Sequence, residues 1–245
     1  MTDDFEKVFG NKKRIMVLFA HPDDAELYAG GTIARLVDAG KRVRVVKMTS
    51  GDRGSRDMKI SEEELRKLRE EEDTKAMKVL GIRDEDNVYL RVRDGEVQDS
   101  IEVIEKVAYQ IREFQPEIVI THNPDDVIIH HDSGENWVNH RDHRNTGKSV
   151  IDACYPYSRD LLFFPEQFDN KKLKQGNVNE YLLVDFYDHP DEVSFDITNF
   201  VAKRIEAHAC HVSQYDKKAA QSSADFFTLT PEGKRRERFR YVVAD

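Results

Sequence analysis

Short apolar runs and helix-period stretches alternate along the first half of the chain. RIMVLFA (14–20) is a continuous apolar run, as expected of a strand buried on both faces. Residues 24–39 follow with Leu27, Ile33, Leu36 and Val37 near helical spacing, and Gly40 closes the pattern. VRVVKMTS (43–50) reads as a second strand and GDRGSRD as a turn-rich loop. A helix is predicted over 61–80, opened by Ser61 with Glu64 three positions on, the signature of a capping box. VYLRV (88–92) is a third strand, 100–114 a helix and EIVITH (117–122) a fourth strand. Beyond residue 155, YLLVDFY (181–187) and VSFDI (193–197) are strand-like and 198–212 is helix-like.

Strands alternating with helices imply parallel strands joined by right-handed crossovers. The expected fold is therefore α/β: a Rossmann-like, doubly wound, mostly parallel sheet in three layers. A single domain over 1–245 is expected, with its core motifs in 13–155 and 156–245 as an extension of the same unit. Ligands in such folds bind outside the carboxyl ends of the strands. AHPDD, TSGDRGS, RVRDG and THNPDD all fall at those ends, and NHRDHRNTG follows a long loop. Loops of that length in compact domains are commonly functional.

Composition narrows the function classes. The 245 residues carry 39% hydrophobic and 35% charged side chains and a net charge of −9. That balance suits a soluble globular protein and argues against nucleic acid, whose phosphates need a basic face. The two cysteines, Cys154 and Cys210, form no C-x-x-C pair and no disulfide framework. The first residues lack the apolar core of a secretory signal, and no apolar window of about 18 residues would span a membrane. A cytoplasmic location is the resulting expectation.

AHPDDAE (20–26) crowds two aspartates and a glutamate beside a histidine. One reading makes Asp23 a helix N-cap with Glu26 as its partner. That leaves His21 unexplained, because Pro22 holds it extended at the strand end while Asp24 begins the helix. In NHRDH, His140 and His143 are three apart and share a face at a helix start. Together the two segments supply two imidazoles and a carboxylate with spare groups nearby. Three protein ligands and an open position suit catalytic zinc, and the same set suits iron(II).

AHPDDAELYAGGT, TSGDRG, the R-x-x-E of the second helix, ITHNPDD and HRDH resemble the PIG-L family of zinc-dependent N-deacetylases over about residues 13 to 155. A fainter likeness lies in AKRIEAHACHVSQY (202–215). The resemblance implies removal of an acetyl group from an N-acetylated amino sugar or sugar conjugate. It implies Zn2+ held by His21, Asp24 and His143, with Asp23 as general base and a charged His140 facing the oxyanion or leaving group. It also implies that Arg69 and Asp94 contact the sugar, and Arg53 is a further candidate. Relatives form trimers or hexamers, so a homo-oligomer is implied by analogy. Two departures stand out: Ala25 separates Asp24 from Glu26 where the family has HPDDE, and Val138 stands where some members carry a tyrosine.

Several positions have competing structural readings. Glu72 lies within the apolar stripe of its helix, and a buried carboxylate must be paired, so an Arg69–Glu72 ion pair is one alternative. Asp94 before Gly95 also suits a turn. His122 either ends a strand or lines the pocket. Asp126, His130 and His131 lie in the long loop, and Trp137 either stacks on a sugar or plugs that loop onto the core. His211 and Gln214 are packing or supporting groups. Two alternatives to the hydrolase are an iron(II) redox enzyme using the same triad and a non-catalytic sugar- or nucleotide-binding module. The glycine loops AGGT and GDRGS do not match G-x-G-x-x-G.

Overall fold

The computed structural model describes residues 2–169 and 172–244. The apolar run at the start forms β1 (Arg14–Phe19), preceded by a short helix α1 (Phe5–Phe9). Then come α2 (Asp24–Asp38), β2 (Arg42–Lys47), α3 (Glu62–Leu80), β3 (Asn87–Tyr89), α4 (Ile101–Phe114) and β4 (Ile118–Thr121). The capping box of α3 is present: the Ser61 side chain accepts from Glu64 N–H, and Glu64 accepts from Ser61 N–H. β3 is shorter than its sequence suggests, since Arg91 turns into a left-handed conformation at φ 51°.

The long loop folds into a hairpin, β5 (Ile128–His130) against β6 (Asn136–Val138), and leads into α5 (Arg141–Asp152). The last third supplies β7 (Glu180–Leu183), β8 (Glu192–Asp196), α6 (Val201–His208), α7 (Lys217–Thr228) and β9 (Arg236–Val243). One seven-stranded sheet runs in the order β3-β2-β1-β4-β7-β9-β8. The first five strands are parallel, and β9 lies antiparallel between β7 and β8. The mostly parallel α/β sheet expected from the alternation is therefore the fold, with strands from both halves of the chain in it.

Alternation along β1 explains the three layers. Ile15, Val17 and Phe19 pack on one side with residues of α2 and α3, while Met16 and Leu18 pack on the other with α4 and α5. A strand covered on both faces has to be apolar at every position, which is why RIMVLF shows no period-two pattern. The strand order turns back between β1 and β4. The chain first winds outward through β2 and β3, then returns to β4 on the other side of β1. Doubly wound sheets place their ligands at such a switch point, at the carboxyl ends of the strands.

Candidate metal centre and its surroundings

β1 and β4 are hydrogen-bonded neighbours, with Val17 opposite Ile120. Their ends therefore carry His21 and His122 to the same place. After His21 the backbone turns sharply. Asp23 takes φ 104°, ψ −27°, a left-handed conformation that a non-glycine residue holds only when its surroundings enforce it. Asp23 makes no capping hydrogen bond, and Glu26 is turned toward His211 at 3.0 Å. The helix-cap reading of these two acids is thus overturned. Asp24, the first residue of α2, folds back so that its Oδ2 accepts the His21 N–H at 2.8 Å.

The third contribution comes from α5. His140 is its N-cap, and its Nδ1 accepts the Asp142 N–H at 3.2 Å. Gly147 lets this helix press on the end of β4: a Cβ there would lie 2.6 Å from the His122 carbonyl oxygen. The close approach lays His143 flat on His122, ring centroids 4.0 Å apart and planes within 8°.

Three of the residues picked from sequence meet at one point. His21 Nδ1 is 3.3 Å from His143 Nε2 and 3.5 Å from Asp24 Oδ2, and His143 Nε2 is 3.4 Å from Asp24 Oδ1. A tetrahedral zinc with bonds of about 2.0–2.1 Å has ligand-to-ligand edges of about 3.3–3.4 Å. The donor set and its spacing therefore fit such an ion. The remaining face of His21 is also occupied by acids: its Nε2 is 3.2 Å from Asp94 Oδ1 and 3.5 Å from Asp142 Oδ2. Carboxylates on the far nitrogen of a ligating imidazole fix its ring orientation and raise its basicity.

Electrostatics point the same way. Burial would raise the Asp24 pKa, but the charge of His143 and hydrogen bonds from His122, His143 and His21 hold it well below the usual carboxylate range. Burial opposes a charge on His21, yet Asp142, Asp24 and Asp94 hold its pKa well above that of free imidazole. Asp94 is pushed up by burial and pulled further down by His21, to about 2. His122 is driven to about 3, by burial first and the charge of His143 second. Ionised carboxylates thus surround a spot that calls for positive charge, and a divalent ion would supply it.

Asp23 stands beside this centre. Its Oδ2 accepts from Arg69 Nη2 at 3.1 Å, and the same guanidinium donates to the Pro22 carbonyl at 2.7 Å and the Gly51 carbonyl at 3.1 Å. Gly51, at φ 64°, has no room for a Cβ, which would fall 2.1 Å from Arg69 Nη1. Arg69 is only 4% exposed, and Glu72 is bound by Ser213 through its N–H and hydroxyl at 2.8 and 2.7 Å. The alternative Arg69–Glu72 pair is therefore not formed.

The other candidates sort by position. The Asp94 carboxylate accepts the Arg53 N–H at 3.2 Å, and the half-exposed Arg53 side chain pairs with Glu96 at 2.8 Å and Glu62 at 3.3 Å. His140 is exposed at the mouth, its ring 4.9 Å from that of His21. Accepting on Nδ1 makes it neutral, and burial, then the charges of His21 and His143, lower its pKa. Both features favour the neutral ring over the charged form expected from the resemblance. His130 is on the hairpin, bonded to Asn136, and His131 is buried against Phe226 and Tyr187. Trp137 packs on His131, Tyr187, Phe226 and Phe227, so it plugs the loop onto the core. Asp142 is the residue at the centre that sequence reasoning did not place there, and His122, left open between a strand end and the pocket, lines it. His122 is fully buried, 3.3 Å from Asp24 Oδ2.

Comparison with known proteins agrees with this geometry. The PIG-L family, described as GlcNAc-PI de-N-acetylase, matches residues 16–154. The diacetylchitobiose deacetylase of Thermococcus kodakarensis is 28% identical over 84% of this chain and 72% of its own. A Bacillus anthracis protein, described as a probable N-acetyl-alpha-D-glucosaminyl L-malate deacetylase 2, is 24% identical over 94% of this chain and 95% of its own. The solved N,N'-diacetylchitobiose deacetylase of Pyrococcus horikoshii superposes with a TM-score of 0.81 at 27% identity, covering 98% of this chain and 87% of that one. The match covers more than half of the chain and contains every group of the converging cluster: the chain belongs to the PIG-L family.

Proposed function

We propose that this chain is a zinc-dependent N-deacetylase acting on an N-acetylated amino sugar or sugar conjugate. The observation that carries the reading is the convergence of His21 Nδ1, His143 Nε2 and the Asp24 carboxylate at 3.3–3.5 Å from one another, with Asp23 alongside. The family match and the names of the relatives support the substrate class. His21, Asp24 and His143 would hold the metal. When bound, zinc polarises a carbonyl and brings the pKa of a water to about 7.

The protein's own groups do the rest. Arg69 occupies one oxygen of Asp23 and leaves the other to take the proton of the attacking water. Neutral His140 presents Nε2–H at the mouth, where it donates to the carbonyl oxygen as negative charge develops. A donor of this kind contributes about 2.7–4 kcal/mol to the transition state. The proton held by Asp23 then passes to the departing amine. Asp94 and Asp142 keep His21 oriented through its Nε2. Arg53 is assigned to the sugar hydroxyls, with Asp94 beside it in addition to its hold on His21. Arg69, which the resemblance makes a sugar contact, is assigned first to Asp23, because little of it reaches the surface.

The test is a panel of N-acetylglucosamine, N,N'-diacetylchitobiose and N-acetylglucosaminyl-malate, assayed for free amine and acetate with metal removed and restored. Release of both products without oxygen, lost with a chelator and regained with zinc, supports the proposal. Release of neither product from any member by the zinc-loaded protein would remove it.

A further inference from the structure

The segment 155–163, which follows α5, carries apolar side chains into solvent. Leu162 is 92% exposed, and Leu161 and Tyr155 are each 55% exposed. The backbone beneath them is fixed. Arg112 of α4 is fully buried, and its guanidinium donates to the carbonyls of Tyr157, Ser158 and Phe163 at 2.9–3.1 Å and of Asp160 at 3.2 Å. A buried charge needs such partners, and these lock the loop that supplies them. The result is a rigid projection with leucines at its tip. Contiguous exposed apolar side chains on a soluble protein mark interaction sites.

A cavity of about 480 Å³ opens beside this projection, between α4 and β3. Tyr89, Leu90 and Tyr109 line it, together with the charged Glu102, Glu105 and Lys106. Gln167 joins the two features. It lines the cavity, its Oε1 accepts from Arg112 at 2.9 Å, and its Nε2 donates to the Glu105 carbonyl at 3.1 Å. Projection and recess therefore lie side by side on one scaffold. Their charges are matched as well. The projection holds Arg159 and Asp160, 2.9 Å apart and both partly exposed. The recess holds Lys106 and Glu102, 3.5 Å apart, with Glu105 alongside.

We propose that this face is a two-fold contact between two copies of the chain, Leu161 and Leu162 of each copy entering the recess of the other. A surface that pairs with itself about a two-fold axis must carry both halves of the contact, and this one does. Across the axis Arg159 meets Glu102 and Glu105, and Asp160 meets Lys106. A lipid surface is the poorer occupant, because the acids around the leucines and the net charge of −9 oppose anionic headgroups. The contact uses none of the residues assigned to metal or catalysis, so it stands apart from the deacetylase reading.

The experiment is sedimentation velocity on the full chain as wild type, as Leu162→Asp, as Tyr109→Lys, and as an equimolar mixture of the two variants. The wild type is expected to assemble with an even number of chains. Each variant alone should weaken the two-fold contact by about thirtyfold or more, as for loss of a central anchor, and so halve the assembly. Mixing should restore association. In the mixed pair one projection still enters an intact recess, and the two altered positions meet with opposite charge. Leu162 is almost wholly exposed, so its substitution leaves the monomer fold intact, and far-UV circular dichroism checks this for both variants. A monomeric wild type, an odd-numbered assembly, or an assembly unchanged by Leu162→Asp overturns the proposal. Folded variants that dissociate and do not recover on mixing overturn it too.

Discussion

Two buried clusters of this protein are built from the same kinds of side chain and behave differently. One is His21, Asp24 and His143 with Asp94 and Asp142 behind them; the other is Glu26, two residues further along α2, with Asp73 of α3 and His211. In the second cluster each acid already has its own cation. His211 sits on Glu26 at 3.0 Å, and Lys47 sits on Asp73 at 2.8 Å. In the first, the ring partners of Asp24 are three imidazoles, and two imidazole nitrogens face each other at 3.3 Å. Ligand-type residues in proximity are therefore not enough to mark a metal site. What sets the proposed metal site apart is that Asp24 itself has no lysine or arginine paired with it among the described residues, together with lone pairs that converge.

That contrast can be broken most severely at His143. His143→Ala should abolish zinc binding and turnover together, checked by elemental analysis and product release. Asp23→Asn should retain zinc and lower kcat by about 10²–10⁴-fold, the usual contribution of a general base. Retained turnover in that variant would take Asp23 out of the mechanism. Glu26→Gln should do the opposite. It should keep zinc stoichiometry near wild type while destabilising the fold by about 3–5 kcal/mol, since it removes one partner of a buried pair. Urea unfolding of the two variants side by side measures this.

The smallest effect is a pH dependence confined to the deeper cluster. Burial pulls His211 down, but Glu26 lifts its pKa to about 9, above the value of about 6.5 in an unfolded chain. The folded state therefore holds the extra proton between those values. The stabilisation is fully present below about pH 6.5 and is lost as pH rises through about 9. Between pH 7 and 8 the loss should be about 1 kcal/mol in wild type, and Glu26→Gln should flatten that slope.

How much of this was legible in the sequence depends on how local the signal is. β1, α2 and the Ser61–Glu64 cap follow from apolar runs and from residues three apart. The ligand candidates were legible because each contributing segment is short and begins at a strand or helix end. Side-chain partners drawn from far along the chain were not. Nothing in R-x-x-E tells that Arg69 goes to Asp23, 46 positions back, while Glu72 goes to Ser213, 141 positions on. Asp94 looked like a turn residue or a sugar contact, and its bond to His21 Nε2 spans two separate strand ends. β9 was missed because RERFRYVV opens on three consecutive charges after the charged stretch GKR, so it resembles exposed chain. Its charges are instead buried in pairs, as with Glu237 against Arg204 at 3.3 Å. His122 ends an apolar strand, and only the turn of the sheet order between β1 and β4 brings it to Asp24.

The most direct measurement is anomalous diffraction at the zinc edge from crystals of the zinc-loaded protein. The account predicts one strong peak among His21 Nδ1, His143 Nε2 and the Asp24 carboxylate, at about 2.0–2.2 Å from each. A peak between Glu26, Asp73 and His211 with none at Asp24, or no bound zinc in an active protein, would contradict it.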